Sequence, residues 1–406
     1  MPASSLTFEQ ARHLVETHAT ALRPAATETV ALAGAASRIL AEPLLADRDF
    51  PPFPRATRDG FALCAADVVH PPTTLRVIGE IKAGIAPAEF NFHLASGQAV
   101  SIMTGAPLPS GADAVVMVEY TEPAADEVKV LRSVAVGENY VPTGAEALRG
   151  AVLLHPGARL DAAAIACAAS VGKPTLRVFC RPRIAVLSTG DELVDVHSLP
   201  GPTQIRNSNL HSLAAQISAA GAEPVLLPIA PDEPARLREL IEQGLQADLL
   251  LLTGGVSVGK YDLVEQVLAE LQASFLFTSV QIQPGRPAVF GQARGRFFFG
   301  LPGNPVSTMV TFELFARPMV EALCGMTPRK LVFPRARLRS EVRTRTGLTR
   351  FLPASLTGEF DDAQVELVHW QGSGDMAATV RANCYLMVLP DRELLSAGEW
   401  VPILLR

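Results

Sequence analysis

The sequence predicts a multidomain α/β plus β protein. Its parts are a central three-layer α/β domain with a mostly parallel sheet, an inserted β module, a discontinuous N-terminal helical domain and a C-terminal small β-barrel-like domain. Three observations predict it. The chain has 406 residues, room for several domains at about 100 to 200 residues each. Residues 181–327 alternate apolar runs with helical periodicity, and the unbroken run 249–252 marks a strand buried on both faces of a parallel sheet. Residues 47–145 hold short apolar runs cut by Gly, Pro and acidic turns, the pattern of a β module.

In chain order, Thr7-Phe-Glu-Gln10 reads as a capping box that heads a helix bearing Ala11, Leu14 and Val15. The segment Asp49-Phe-Pro-Pro-Phe-Pro54 ends helical pattern, because proline fixes φ and removes a donor. Strand-like runs follow at 75–81, 99–103, 114–119 and 127–131. Asp161 then caps an Ala-rich helix that stops at Gly172, so residues 1–46 and 146–180 are expected to form one unit around the insert 47–145. In 181–327, Leu210, Leu213, Ala214 and Ile217 share a helical face ending at Gly221, and Asp232 is expected to cap the helix carrying Leu237, Leu240 and Ile241. Residues 328–406 return to strand-like runs, with turns at Gly347, Gly358, Gly372 and Gly398.

Composition excludes several classes. With 48% hydrophobic and 19% charged residues the chain is neither disordered nor fibrous. A net charge of -6 with no basic block argues against nucleic acid as a partner. No apolar run reaches the roughly 18 residues of a membrane span, and the N-terminal stretch lacks the basic and apolar regions of a signal peptide. The five cysteines, Cys64, Cys167, Cys180, Cys324 and Cys384, are scattered and never spaced C-x-x-C, which fits reduced thiols in a cytoplasm. No H-E-x-x-H or G-x-S-x-G pattern supports a metalloprotease or a serine hydrolase.

Three loops leave predicted strands in the α/β region: Ser188-Thr-Gly-Asp-Glu192, Thr253-Gly-Gly-Val-Ser-Val-Gly259 and Gly300-Leu-Pro-Gly-Asn-Pro305. In an open parallel sheet such loops collect at the carboxyl edge, where ligands bind. Gly190, Gly254, Gly255 and Gly303 permit close backbone approach to an anion, flanked by Thr189, Ser257, Pro302 and Asn304. Asp191, Glu192 and Asp262 place carboxylates beside that cradle, an arrangement that makes sense with Mg²⁺ between them and a phosphate. Taken singly, each loop also fits a tight turn or a helix start, and Asp262 fits a helix cap; together they favour an anionic-ligand site. Arg286, on the turn Ile282-Gln-Pro-Gly-Arg-Pro287, fits an oxyanion or phosphate, or simply a surface hairpin. Arg55, Arg58 and Asp59, with Thr104-Gly105 further on, gather polar groups in the β module.

These residues resemble a known family. Arg58-Asp-Gly-Phe-Ala62, Ile102-Met-Thr-Gly-Ala-Pro107 with Gly111-Ala-Asp-Ala-Val-Val-Met117, Ser188-Thr-Gly-Asp-Glu192, Thr253-Gly-Gly-Val-Ser-Val-Gly259 with Asp262, Pro284-Gly-Arg-Pro287 and Leu301-Pro-Gly-Asn-Pro305 are similar, in order and over nearly the whole chain, to the molybdopterin molybdenumtransferases, relatives of the gephyrin C-terminal domain. The resemblance implies insertion of molybdate into adenylyl-molybdopterin with release of AMP, by a homodimer whose active site lies between the α/β domain of one subunit and the β module of the other. It implies Asp59, Glu192 and Asp262 as catalytic residues, with Glu192 and Asp262 near the metal. It places Thr104 on the β-module side of the cleft, and Arg286 where the family has a basic residue for molybdate or phosphate. Other proteins of molybdenum cofactor synthesis are further expected partners.

The chain departs from the family pattern at three places. Ala56-Thr-Arg-Asp-Gly60 stands for Ser-Ala-Met-Asp-Gly, Gln283 for a second lysine, and Val141-Pro-Thr-Gly-Ala-Glu146 for an Arg-rich stretch before the acid. Arg55 and Arg58 are expected to restore positive charge. Competing readings are a catalytically silent pterin-binding scaffold and a pterin adenylyltransferase-like relative; Asp59, Glu192 and Asp262 argue against the first, and the N-terminal and C-terminal pieces against the second.

Overall fold

A computed structural model describes residues 5–86, 89–255, 263–326 and 330–406. Its centre is a six-stranded sheet in the order Glu223–Leu226, Arg183–Ser188, Leu249–Thr253, Arg296–Leu301, Val289–Ala293, Ser274–Phe277. The first four strands run parallel and the last two add antiparallel pairs, so the sheet is mostly parallel. Successive side chains of a strand point to opposite faces. Accordingly Ile184, Val186, Leu249 and Leu251 enter one apolar cluster with Leu213 and Ile217, while Ala185, Leu187, Leu250 and Leu252 enter another with Leu237, Ile241 and Val267. These helices cover the two faces, giving three layers, with each buried leucine contributing about 1.5 to 3 kcal/mol.

Helix Ser208–Ala220 ends at Gly221 with φ 101°, the left-handed stop that glycine adopts freely. The expected cap at Asp232 is corrected: helix Pro234–Gly244 starts from Glu233 with no side-chain cap, and Pro234, with its preset φ, opens the first turn. Asn304 does stand at an N-cap position before Pro305, but its side chain makes no cap bond. The helical run after it contains a π-helical stretch, Phe312–Ala316, followed by Arg317–Leu323.

Helix Phe8–Ala21 carries the predicted capping box, with Thr7 and Gln10 bonded reciprocally. Its buried face, Phe8, Ala11, Val15 and Ala19, packs into the cluster on the first face of the central sheet. The core flanking the insert is built instead from strand pairs, Thr27–Ala31 with Thr175–Phe179 and Leu44–Leu45 with Val152–Leu154, under helix Ala162–Ser170. The period-two burial of Leu176 and Val178 between exposed Thr175 and Arg177 explains the strand. Chain from both sides of the insert is thereby joined. The insert carries its own six-stranded sheet, with Gly60–Leu63 between Ala114–Met117 and Gln98–Ile102.

In the C-terminal region, Thr349–Thr357, Gln364–Leu367, Arg335–Leu338, Trp400–Leu405 and Cys384–Val388 close on themselves as a small barrel. Short strand Ile282–Gln283 joins it in parallel, with Gln283 in register with Arg350. That pairing attaches the barrel to the α/β unit. No helix among the described residues is long and apolar enough to cross a membrane.

Candidate functional site

Counting along the α/β segment, the sheet order places the second strand, Glu223–Leu226, outside the first, and Leu249–Thr253 on its other side. Chain direction across the sheet therefore reverses between Arg183–Ser188 and Leu249–Thr253, the switch point where open α/β sheets bind ligands. A cleft of about 540 Å³ opens there, lined by Thr189, Gly190, Glu192, Asn209, Gly254 and Gly303 among others. Gly255, Pro302 and Asn304 line it as well.

Close backbone approach explains the glycines. A Cβ on Gly254, at φ +87°, would stand 2.4 Å from the Thr189 carbonyl oxygen, and one on Gly255 would stand 2.7 Å from Thr189 Oγ1. A Cβ on Gly190 would press into the Glu192 carboxylate at 2.3 Å. Gly254 and Gly255 are thus fixed by the loop opposite them, and Gly190 by the carboxylate of its own loop. The Thr189 amide bonds the Thr253 carbonyl at 3.0 Å, which holds the first two loops together. Asn209 Nδ2 donates to Thr253 Oγ1 at 2.9 Å and to the Gly303 carbonyl at 2.7 Å, which adds the third.

Beneath these loops lie polar atoms with nothing to bond. Thr189 is 3% exposed, Asn207 3% and Asn209 9%, yet among the described residues Thr189 Oγ1, Asn207 Nδ2 and Asn209 Oδ1 lack partners. Buried polar groups are nearly always satisfied, because an orphan forfeits its hydration. All three belong to residues that line the cleft, so its wall holds polar capacity that the protein itself does not use.

Carboxylates gather at the same cleft. Glu192 and Asp232 both line it, and Asp191 Oδ1 accepts the Asp232 amide at 3.0 Å. Burial first, then the negative charges of Asp191 and Glu192, push the Asp232 carboxyl above its ordinary pKa. A donor set of two carboxylates beside a phosphate cradle fits Mg²⁺, which keeps waters and takes substrate phosphate oxygens for its remaining positions. Among the described residues no group of three or more His, Cys, Asp or Glu side chains could hold a metal. Ser257 and Asp262 lie outside the described residues.

A second cleft, of about 790 Å³, lies where the barrel meets the α/β unit, lined by Gln283, Arg343, Arg345, Arg350 and Trp370 among others. Arg350 is 7% exposed and donates to the Leu348 carbonyl at 3.1 Å. Burial, then the charge of Arg345, lowers its pKa. A buried guanidinium beside a second cation gains from a nearby anion, and this arrangement is chemically suited to bind one. The turn 283–287 bridges the clefts, with Gln283 in this one and Pro287 in the first. Arg286 is exposed on that turn and is not among the side chains lining either cleft.

Asp59 and Thr104 meet in the β module, where Asp59 Oδ1 accepts both the Thr104 amide and its hydroxyl. Neither residue lines either cleft. Arg55 sits in register with Val141, at the stretch whose arginines are missing, but its guanidinium is paired with Glu146 at 2.9 Å. Periodicity could not show Asn207, Asn209, Asp232 or Arg350. Local signals were Asn207 as the N-cap of helix Ser208–Ala220 and the recurrence of arginine at 343, 345 and 350 in an acidic chain.

Comparison with known proteins agrees with this geometry. Residues 6–172 match a family model described as the MoeA N-terminal region (domain I and II), 185–322 a probable molybdopterin binding domain, and 335–405 the MoeA C-terminal region (domain IV). A molybdopterin molybdenumtransferase from Nostoc sp. is 37% identical over 391 residues, covering 93% of this chain and 88% of that protein. One from Bacillus subtilis is 33% identical over 389 residues, covering 93% and 90%. The solved molybdopterin biosynthesis MoeA protein of Pyrococcus horikoshii OT3 superposes with a TM-score of 0.79 at 27% identity, covering 99% of this chain and 100% of that one. With matches running from the N-terminal helix to the closed barrel, the chain belongs to the MoeA family of molybdopterin molybdenumtransferases.

Proposed function

We propose that this chain inserts molybdate into molybdopterin presented as its adenylate, releasing AMP and forming molybdenum cofactor, as a Mg²⁺-dependent homodimer in the cytoplasm. The observation that carries the reading is the pair of clefts joined by the turn 283–287: one has a glycine-lined cradle, two carboxylates and orphaned polar atoms, the other the buried Arg350 beside the exposed Arg343 and Arg345. A phosphoanhydride and an oxyanion each find matching chemistry within reach of one turn.

Backbone amides around Gly190, Gly254 and Gly255, with the N-terminus of helix Ser208–Ala220, favour the substrate's phosphates. Glu192 and Asp232 hold the cation, which when bound offsets negative charge on the pyrophosphate oxygens. Arg350 and Arg345 hold molybdate, a dianion, against the dithiolene end of the substrate. Asp59, exposed on the β module and fixed by Thr104, is presented to the cleft of the partner chain. Residues 47–145 of one chain then face 181–327 of the other.

Two experiments test this reading. Turnover of adenylyl-molybdopterin with molybdate and Mg²⁺ is followed as AMP release; a protein that retains the adenylate intact is a scaffold instead. Mixing an Asp59→Asn chain with a Glu192→Gln chain should restore one complete site per mixed dimer. No recovery over either variant alone would place both residues in one subunit's site.

A further inference from the structure

We infer that Asn209, with Asn207, reads an uncharged hydroxyl of the substrate's ribose beside the phosphate cradle. This rests on the nucleotide reading above and goes further by assigning the discriminating side chains. The amide orientations follow from bonds already made. Asn209 Nδ2 uses its hydrogens on Thr253 Oγ1 and the Gly303 carbonyl, which leaves Oδ1, an acceptor only, as the free atom. Asn207 Oδ1 accepts the Leu210 amide at 3.2 Å and lies 3.2 Å from Ser188 Oγ, which leaves Nδ2, a donor only, free. Both residues are more than nine-tenths buried and both line the first cleft.

A phosphate cannot satisfy this pair. Its oxygens are acceptors, and Asn209 Oδ1 would meet them with its own lone pairs. The ligand atom opposite Asn209 must carry a proton, and the atom opposite Asn207 must accept one. A hydroxyl can fill either role. In a nucleoside monophosphate the ribose hydroxyls lie within a few bonds of the phosphate, so one ligand spans the glycine cradle and the asparagine pair. Asn209 is held by two loops, so its acceptor is placed on a rigid support, where the cost of ordering the side chain is already met.

The test is a ligand-side deletion read by calorimetry: AMP, 2′-deoxy-AMP, 3′-deoxy-AMP and purine riboside monophosphate, which lacks the exocyclic amine, each titrated into the intact protein and into Asn209→Ala. One deoxy analogue should bind the parent roughly 2- to 13-fold more weakly than AMP, the size of one neutral hydrogen bond. In Asn209→Ala that difference should vanish. Asn207→Asp keeps the acceptor for Leu210 and Ser188 while deleting the donor, and it should shrink the same difference, so the test survives if Asn209→Ala does not fold. Equal affinity of all four ligands for the parent overturns the inference, as does a loss confined to the amine-free analogue, or a hydroxyl effect unchanged in both variants. If AMP itself does not bind the parent, the nucleotide reading fails with it.

Discussion

Asp59 Oδ1 accepts two hydrogen bonds from a single residue, the Thr104 amide at 2.6 Å and the Thr104 hydroxyl at 2.8 Å. The carboxylate therefore stands in one fixed orientation although both residues are exposed. Gly60, the next residue, lets its strand lie close to the neighbouring one, since a Cβ there would stand 1.8 Å from the Val116 carbonyl oxygen. Both Thr104 bonds favour the charged form and hold the Asp59 carboxyl below its ordinary value of 3.8. A folded value below the unfolded one means that the tether's contribution is present above pH 3.8 and is lost as pH falls through the folded value. Thr104→Val should move the Asp59 titration, followed by carboxyl-carbon NMR, back toward 3.8; an unmoved titration would show that the amide alone sets it.

Gly254→Ala should damage the site more than Gly347→Ala, although both glycines have positive φ. At Gly347, φ +96°, a Cβ meets nothing within 4 Å, so only backbone strain of about 1 kcal/mol is added. At Gly254 the Cβ also collides with the Thr189 carbonyl, and one loop must move. We expect a cost on the order of 1 to 3 kcal/mol in denaturant melts, with loss of AMP binding. Equal losses at both positions would mean that the loops are not held against each other.

Arg350→Met should leave stability unchanged or raised, because it removes a buried guanidinium facing Arg345. Molybdate affinity should fall about 10- to 150-fold, the worth of one charge-assisted hydrogen bond. Gln283→Lys, in register with Arg350, should strengthen the same binding. Unchanged molybdate affinity in Arg350→Met would remove the anion from this cleft.

Thiol labelling separates the cysteines. Burial pushes the Cys324 thiol up to about 12 and the Cys384 thiol to about 11, so both stay protonated and unreactive near pH 8. Iodoacetamide on the folded protein should modify Cys64, Cys167 and Cys180, all half-buried, and spare the other two until denaturant is added. Early labelling of Cys324 would show that the helix Arg317–Leu323 opens in the native state.

The elements that announced themselves in the sequence are those governed by local rules. The run 249–252 is central because four apolar residues in succession have no polar face to expose. Thr189, Gly190, Gly254 and Gly303 were visible because glycine after a strand has a backbone reason. Asp232 was misread because an acid before a helix ordinarily caps it, and only the fold shows that Pro234 starts this helix without one. Asn207, Asn209 and Arg350 stayed hidden for a different reason. A polar residue becomes informative when its burial is known, and the contacts that bury and orient the asparagines include groups 19 to 94 residues away. Arg350 faces Gln283 only through a pairing between two units of the chain.

The central claim is that the carboxylates of the first cleft act on the phosphoanhydride while the arginines of the second hold molybdate. The most direct measurement is AMP release from adenylyl-molybdopterin, with Mg²⁺ present and molybdate varied, in the parent and in Glu192→Gln. The parent should release AMP with saturating dependence on molybdate, and Glu192→Gln should lose about 10²-fold or more in kcat at an unchanged molybdate midpoint, the signature of a lost transition-state interaction. Full AMP release by Glu192→Gln, or release by the parent that ignores molybdate, would contradict the account.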